Sequence, residues 1–190
     1  MKRIAVGVQG PSDAIFWNRV LHKHHRGVTF DVRDMKSQQK LVAAAPLLAE
    51  TFQSLGFDAL FLLLDADKAP CVAAVRDELD DDTRGAVRSS LNTRRTFLSV
   101  AFRELESWYL ADPEALAEAL DAPIPADPVL RTGGKTALAK FVRDELGQRL
   151  GYNERQLAEK MSAQFDPARA RKQSKSFDYF WTCVEAVLAR

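Results

Sequence analysis

The amino-acid sequence predicts an α/β fold in which a mainly parallel four-stranded sheet is flanked by helices. Short apolar runs alternate with helical stretches four times along the chain, which is the order of a parallel sheet with crossover helices. One run, residues 59–64, is apolar at every position, as is typical of a strand buried on both faces. The 190 residues, of which 46% are hydrophobic and 28% charged, are enough for one sizeable core.

The predicted strands are short, and turn-forming residues or helical stretches separate them. The first is β-branched and apolar and ends before Gly10-Pro11-Ser12, the second alternates in hydropathy, and the third is the continuous apolar run. Together with a fourth, they cover residues 3–8, 28–32, 59–64 and 96–102.

One helical stretch is expected after each strand. Ser12 is the expected N-cap of the first, because its hydroxyl can accept a hydrogen bond from the first turn. Pro46 is expected to kink or split the second, and Gly56 to close it as C-cap. Pro70 suits the first position of the third, and Asp112-Pro113 breaks the fourth. The four stretches are 13–24, 37–55, 70–79 and 104–120.

The character of the chain changes after residue 120. A proline-rich connector at 121–128 is followed by helical segments around 136–146, 154–163 and 176–189. We therefore expect residues 1–120 to form the α/β core. Residues 121–190 would be a connector and a helical appendage packed on that core, so that the whole is a single compact domain.

Charge and cysteine content restrict the class of protein. The net charge is only +1, so any binding to nucleic acid must come from local clusters among the 27 Lys and Arg. Cys71 and Cys183 match no metal or redox spacing. The N-terminus lacks a signal-peptide layout, and no apolar run is long enough to span a bilayer. These features predict a cytoplasmic protein.

The third predicted strand ends in Asp65-Ala66-Asp67. If the chain stays extended, both carboxylates point to the same side, where they repel each other unless a hard divalent cation or a raised pKa relieves the repulsion. The alternative is that Asp65 caps a helix and Asp67 is a solvated turn residue.

Two other loops bring polar side chains to the same edge of the predicted sheet. Gln9 and Asp13 follow the first strand, and Glu104 and Glu106 follow the fourth. Because ligands of open α/β sheets bind at the carboxyl ends of the strands, these loops together predict a site there. Asp13 could instead be a first-turn residue favoured by the helix dipole.

The two glutamates depend on local geometry. If the fourth strand continues, both point the same way; if a helix has begun, they are roughly 200° apart and only one can face the site. Leu105, Trp108 and Tyr109 share a helical face and are expected to be core. Glu104 could equally be a solvated or salt-bridged residue.

Four motifs resemble a known family. Residues 8–13, Val-Gln-Gly-Pro-Ser-Asp, resemble the first-strand signature of Toprim-like proteins, and 64–67 resemble their Asp-x-Asp motif. Residues 100–112 and 170–180 resemble the third and closing blocks of a Toprim-like bacterial family of unknown function (domain of unknown function 4276), related to the overcoming-lysogenization-defect (OLD) type nucleases.

The resemblance implies a Toprim-like (Rossmann-like) core with Mg²⁺ or Mn²⁺ on the Asp-x-Asp pair. It also implies nucleic-acid phosphodiester chemistry and an ATPase partner in a bacterial defence setting. Asp13 matches a second acidic ligand of OLD-type relatives. The implied metal ligands are Asp65, Asp67, Asp13, Glu106 and Glu104, and the implied catalytic residues are Asp65, Asp67, Glu106, Gln9 and Lys68.

Gln9 departs from the family pattern, which has glutamate at this position. An amide oxygen can still ligate a metal, but the amide cannot exchange a proton at neutral pH. Catalysis would then depend on the other carboxylates, or the protein would only bind nucleic acid or regulate a partner. A phosphohydrolase acting on a small nucleotide is a third hypothesis.

Basic residues offer candidate phosphate contacts. Lys68 could contact the scissile phosphate or be a solvated loop residue. The clusters expected to contact nucleic acid are Arg171, Lys172 and Lys175 near the C-terminus, and Arg94 and Arg95 before the fourth strand, although such runs are often solvated faces.

Two further motifs are misleading. Gly134-Lys135-Thr136 imitates the end of a P-loop, but position 129 is Val and no strand precedes it, so no ATP site is predicted. His22 and His25 lack an acidic or cysteine partner for a metal site.

Overall fold

The structure is a computed structural model, and it describes residues 1–66, 74–75, 96–101, 104–126, 133–147 and 152–190. These residues contain one sheet of four parallel strands in the order β2-β1-β3-β4. The predicted α/β fold is therefore confirmed. The strands are β1 (Arg3–Val8), β2 (Thr29–Asp34), β3 (Ala59–Asp65) and β4 (Thr96–Ala101).

Helices occupy most of the remaining described chain. The predicted helix at 70–79 lies largely outside the described residues, and the short helix at 167–173 was not predicted. The helices are α1 (Pro11–His24), α2 (Gln38–Ser54), α3 (Glu106–Tyr109), α4 (Pro113–Leu120), α5 (Gly134–Asp144), α6 (Glu154–Gln164), α7 (Pro167–Gln173) and α8 (Lys175–Leu188).

The two faces of the sheet pack against different helices. Alternate residues of β1 enter different clusters of buried side chains: Ile4 and Val6 pack with Phe16 of α1, whereas Ala5 packs with Leu41 of α2. The chain therefore leaves β1 toward β2 over one face and returns over the other to β3. The direction of winding changes between β1 and β3, and the carboxyl ends of two such strands form a crevice where open α/β sheets bind ligands.

The C-terminal helices pack on the same face as α1. Trp17 of α1 lies edge-to-face with Trp108 of α3 and with Phe180 of α8, at centroid distances of 5.4 and 4.9 Å. The indole Nε1 of Trp108 donates a hydrogen bond to Ser176 Oγ at 2.8 Å. Trp108 and Ser176 belong to two of the family-like blocks, and this contact gives both residues a structural role.

Asp112 is a second anchor for the C-terminal helices. Its side chain is completely buried, caps α4 through Ala115 N, and accepts hydrogen bonds from Asp166 N at 2.7 Å and from Arg169 Nε at 2.7 Å. A buried carboxylate requires such partners because an unpaired one would be strongly destabilised. The predicted break at Asp112-Pro113 is confirmed, since α4 begins at Pro113.

The N-cap predicted for the first helix is wrong, and of the kink or split expected at Pro46 the split does not occur. Gly10, not Ser12, is the N-cap of α1, because Pro11 takes the first helical position and the Asp13 carboxylate accepts a hydrogen bond from Gly10 N at 3.1 Å. Pro46 does not split α2, which is one helix from Gln38 to Ser54. The buried face of α2 extends along its whole length against the sheet, and this packing offsets the lost backbone hydrogen bond.

None of the described helices combines the length and apolar composition that a membrane span requires.

Candidate functional site

A cavity of about 270 Å³ opens at the carboxyl ends of β1 and β3, where the sheet changes its direction of winding. Residues from the β1–α1 loop form one side, and the end of β3 and the segment that begins α3 form the floor. The third side comes from the C-terminal half of the chain. The lining residues include Gln9, Gly10, Ser12, Asp13, Asp65, Glu104, Glu106, Tyr109, Lys135, Tyr152 and Glu154.

Asp13 lies in the first turn of α1 and is partly buried. Burial, followed by the negative charge of Glu106, raises the pKa of Asp13 from 3.8 to about 7, although the backbone N–H groups of Gly10 and Gln9 act to lower it. The carboxylate therefore exchanges its proton near neutral pH.

Glu104 and Glu106 both line the cavity, although neither predicted geometry applies. β4 ends at Ala101, and Glu106 is the first residue of α3, so Glu104 lies in the turn between them. Burial is the main cause of the raised pKa of Glu106, and the charge of Glu104 adds to it. Leu105, Trp108 and Tyr109 are buried as predicted.

Residues on the third side of the cavity donate hydrogen bonds to these two glutamates. The backbone N–H of Lys135, in the first turn of α5, donates to Glu104 Oε2 at 2.6 Å. Tyr152 donates from its hydroxyl to Glu106 Oε1 at 3.2 Å. Lys135 Nζ forms an ion pair with Glu154 Oε1 at 2.5 Å. The first two contacts join the C-terminal half of the chain to the segment after β4, and the ion pair joins two residues of that half to each other.

Lys135 places a positive charge among these carboxylates. Partial burial acts to lower the pKa of Lys135, but the hydrogen bond and charge of Glu154, with the charges of Glu106 and Glu104, raise it overall. The ammonium group therefore remains protonated at neutral pH and lies at the cavity, paired with Glu154.

Asp65 is the last residue of β3 and lines the floor of the cavity. Asp67, Lys68, Arg94 and Arg95 lie outside the described residues, so their predicted roles stay predictions. Within the described ranges, no three His, Cys, Asp or Glu side chains are arranged closely enough to hold a metal ion.

The donor set at the cavity nevertheless has the chemistry that a hard divalent cation requires. Asp13, Asp65, Glu104, Glu106 and Glu154 supply carboxylate oxygens, which are the ligands that Mg²⁺ and Mn²⁺ prefer. Two of these groups, Asp13 and Glu106, have raised pKa values through burial and through charges of their own sign. A bound cation would relieve that repulsion. The chemistry of these donors therefore suits a divalent metal, and a bound ion would have to draw the carboxylates closer together than they lie in the described structure.

Gln9 follows β1 at the edge of the cavity. Its side-chain Nε2 donates to Gln38 Oε1 at 3.2 Å, at the start of α2. The amide is therefore held by the chain itself, and its carbonyl oxygen can still act as an acceptor.

The C-terminal basic cluster is partly occupied by ion pairs. Arg171 Nε binds Asp178 Oδ1 at 2.6 Å, and Arg171 Nη1 binds Glu185 Oε2 at 3.0 Å, which hold α7 against α8. Lys172 and Lys175 are exposed. The predicted contact of these three residues with nucleic acid stays a prediction, and for Arg171 it would compete with the two ion pairs.

Four cavity residues with ionisable side chains were not predicted: Tyr109, Lys135, Tyr152 and Glu154. The helical spacing of Tyr109 predicts a core residue, and Lys135 belongs to the Gly134-Lys135-Thr136 motif that imitates the end of a P-loop. Sequence spacing carries no signal that brings Lys135, Tyr152 and Glu154 to the sheet edge, because long-range packing places them there.

Comparisons with known proteins identify a family and a similar solved structure. A family model described as "Domain of unknown function (DUF4276)" matches residues 8–185. No curated protein matches the chain. Among solved structures, the "C-terminal region of the Burkholderia pseudomallei OLD protein" is similar, with 15% sequence identity and a TM-score of 0.46, over 98% of this chain and 99% of that chain.

Proposed function

This chain belongs to the DUF4276 family, and we propose that its acidic cavity is the active site of a Mg²⁺-dependent hydrolase of nucleic-acid phosphodiesters. The observation that carries this proposal is the convergence of five carboxylates and one lysine at the β1–β3 crevice. Toprim-like motifs at 8–13 and 64–67 contribute Asp13 and Asp65 to that cavity.

Asp65, Asp67, Asp13 and Glu106 would hold one or two Mg²⁺ or Mn²⁺ ions. Such ions supply an activated water and stabilise the charge on the leaving oxygen. Glu104 also has a structural role, because its Oε2 accepts a hydrogen bond from the backbone N–H of Lys135.

The remaining residues of the cavity would bind the substrate and position the carboxylates. Lys135 Nζ offers a positive charge to a phosphoryl oxygen, a role that the sequence had assigned to Lys68. The Tyr152 hydroxyl holds one oxygen of Glu106 and so fixes the orientation of that carboxylate. Asp13, with its pKa near 7, can hold or release a proton at its carboxylate in the metal-free protein.

The second candidate function is a Toprim-like subunit that binds nucleic acid or regulates an ATPase partner without cleaving. Gln9 favours this alternative, because its amide cannot exchange a proton and is hydrogen-bonded to Gln38. An ATPase partner and a role in bacterial defence are part of the proposal for either function, and both rest on the sequence resemblance.

The test is cleavage of end-labelled DNA and RNA, single- and double-stranded, with Mg²⁺, with Mn²⁺ and with EDTA. We expect metal-dependent cleavage by the wild type and none by the Asp65→Ala/Asp67→Ala double variant. Glu118→Gln, on the exposed face of α4, is the control and should cleave like the wild type. Cleavage that survives in the double variant would refute the proposed active site.

Gln9→Glu separates the two candidate functions. A glutamate adds a negative charge at the cavity and should increase the affinity for Mn²⁺, measured by electron paramagnetic resonance. If the wild type binds labelled DNA without cleaving it and Gln9→Glu cleaves, the binding function is supported for the natural chain. If neither cleaves with any metal, even beside an ATPase encoded next to the protein, the hydrolase proposal fails.

A further inference from the structure

Tyr109 is the side chain at the cavity for which the proposed mechanism has no role. It is the last residue of α3, its side chain is only 3% exposed, and its ring packs against Phe16 at a centroid distance of 4.8 Å. The ring is therefore fixed by the core, yet the residue also lines the cavity. Its hydroxyl end is the part that can reach the cavity.

Two observations place the hydroxyl at the cavity. The ionisable groups that act on it are Asp13, Glu106, Tyr152 and Glu154, and all four line the cavity. Among the described residues, the side-chain polar atoms that are fully enclosed and lack a hydrogen-bond partner belong to His25, Thr96 and Ser99. The hydroxyl of Tyr109 is not among these enclosed atoms. Its oxygen is therefore open to the cavity and not sealed in the core.

The hydroxyl of Tyr109 forms no hydrogen bond with any of the described residues. Buried tyrosines usually find a partner, because burying an unpaired hydroxyl is unfavourable. Tyr152, the other tyrosine at the cavity, follows this rule through its hydrogen bond to Glu106. Tyr109 thus presents a fixed and unused donor to whatever occupies the cavity.

We propose that Tyr109 binds the substrate directly, by donating a hydrogen bond from its hydroxyl to a phosphoryl oxygen held in the cavity. This inference rests on the proposed function and extends it by naming a substrate-contacting residue. A phosphoryl group carries acceptor oxygens that can bind the Tyr109 hydroxyl and the Lys135 ammonium group. A cationic ligand would use the carboxylates but would leave this donor unpaired.

The protonation of Tyr109 agrees with a donor role. Burial, and then the charges of Asp13 and Glu106, raises the pKa of Tyr109 well above 10. The hydroxyl therefore keeps its proton at neutral pH and can donate it in a hydrogen bond.

The chain offers a matched pair of variants, Tyr109→Phe at the cavity and Tyr179→Phe at an exposed tyrosine of α8 that does not line the cavity. The probe is thymidine 5′-monophosphate, titrated calorimetrically into the full chain at saturating Mg²⁺. We expect Tyr109→Phe to weaken binding about tenfold, as for loss of one hydrogen bond to a charged acceptor. Tyr179→Phe should bind the nucleotide like the wild type, because it removes a hydroxyl outside the cavity.

Two control measurements separate substrate contact from structural damage. The affinity of Tyr109→Phe for Mn²⁺ and its melting temperature should equal those of the wild type, because the lost hydroxyl has no partner in the described structure. A Tyr109→Phe variant that unfolds would show that the hydroxyl has a structural partner and would overturn the inference. Unchanged nucleotide affinity, or no nucleotide binding by the wild type, would overturn it as well.

The cleavage assay distinguishes failure of this inference from failure of the proposed function. If the wild type and Tyr109→Phe cleave DNA equally well and bind the nucleotide equally well, the role of Tyr109 is wrong while the hydrolase stands. If nucleotide binding depends on Tyr109 but the wild type cleaves nothing, the inference stands and the hydrolase proposal fails.

Discussion

Replacing Asp13 by asparagine is expected to stabilise the metal-free protein at neutral and alkaline pH. Asparagine is nearly isosteric and keeps an oxygen that can accept the hydrogen bond from Gly10 N, so the cap of α1 is preserved. What the substitution removes is a negative charge that is half-buried and close to Glu106. A destabilising interaction is thereby lost at little structural cost.

The magnitude follows from the pKa of Asp13, which is raised from 3.8 to about 7. A group whose pKa is higher in the folded protein than in the unfolded chain stabilises the fold. This stabilisation is fully present below the pKa of the unfolded chain and is lost as the pH rises through the pKa of the folded protein. For a shift of roughly three units at 1.36 kcal/mol per unit, the upper value is about 4 kcal/mol. Solvent screening of a half-buried carboxylate reduces this to about 2–3 kcal/mol.

The assay is urea unfolding in EDTA from about pH 4 to about pH 8. Unfolding is monitored through the fluorescence of the buried Trp17, Trp108 and Trp181. Wild type and Asp13→Asn should be equally stable at about pH 4 and should diverge as the pH rises to about 7, with the variant more stable above. Glu118→Gln is the exposed control. If the two pH profiles run parallel, or if Asp13→Asn is the less stable protein at about pH 8, the account of a desolvated acidic site is wrong.

Two further substitutions test the contacts that hold the fold around the site. Arg169→Ala should lower the free energy of unfolding by about 3 kcal/mol in the same urea titration, because it leaves the fully buried Asp112 without its cation. Arg171→Ala is the comparison: its ion pairs are partly exposed, so it should lower the free energy of unfolding by about 1 kcal/mol or less. Equal losses would contradict the assignment of Asp112 as a buried anchor. Gly7→Ala would place its Cβ 2.7 Å from Leu41 Cδ1 in the packed core, so a loss of about 1–3 kcal/mol is expected in thermal unfolding, and an unchanged melting temperature would refute the close approach of α2 to β1.

The sheet could be predicted from the sequence because its signals are local. The apolar run at 59–64 is a strand buried on both faces, and the turn residues around it mark its ends. The family-like blocks were also correctly interpreted, since the family model covers residues 8–185. The N-cap at Ser12 and the split at Pro46 do not occur because a competing local preference is stronger: proline at the first helical position, and an apolar helix face long enough to tolerate an internal proline.

The candidate site could be predicted only in part, because some of its residues follow strands and others reach the site only through the packing of distant helices. Asp13, Asp65, Glu104 and Glu106 follow strands, and parallel strands bring their carboxyl ends to one edge, so spacing along the chain was enough to group them. Lys135 and Tyr152 reach the same edge through the packing of α5 and α6, which leaves no periodic trace in the sequence. Tyr109 was missed for another reason, because its ring is core and only its hydroxyl belongs to the cavity.

The C-terminal half of the chain is therefore more than an appendage that covers one face of the sheet. Each contact that it makes at the cavity joins a group of its own to an acidic residue: Lys135 N to Glu104, the Tyr152 hydroxyl to Glu106, and Lys135 Nζ to Glu154. The segment after β4 consequently carries two carboxylates whose orientation depends on residues more than 30 positions away. Without these donors, the carboxylates at the strand ends would repel one another, and only a bound cation would hold them in place. Because the donors lie in α5 and two residues before α6, the carboxylates can be held in place before any metal or phosphate arrives, which is the arrangement that a preorganised hydrolytic site requires.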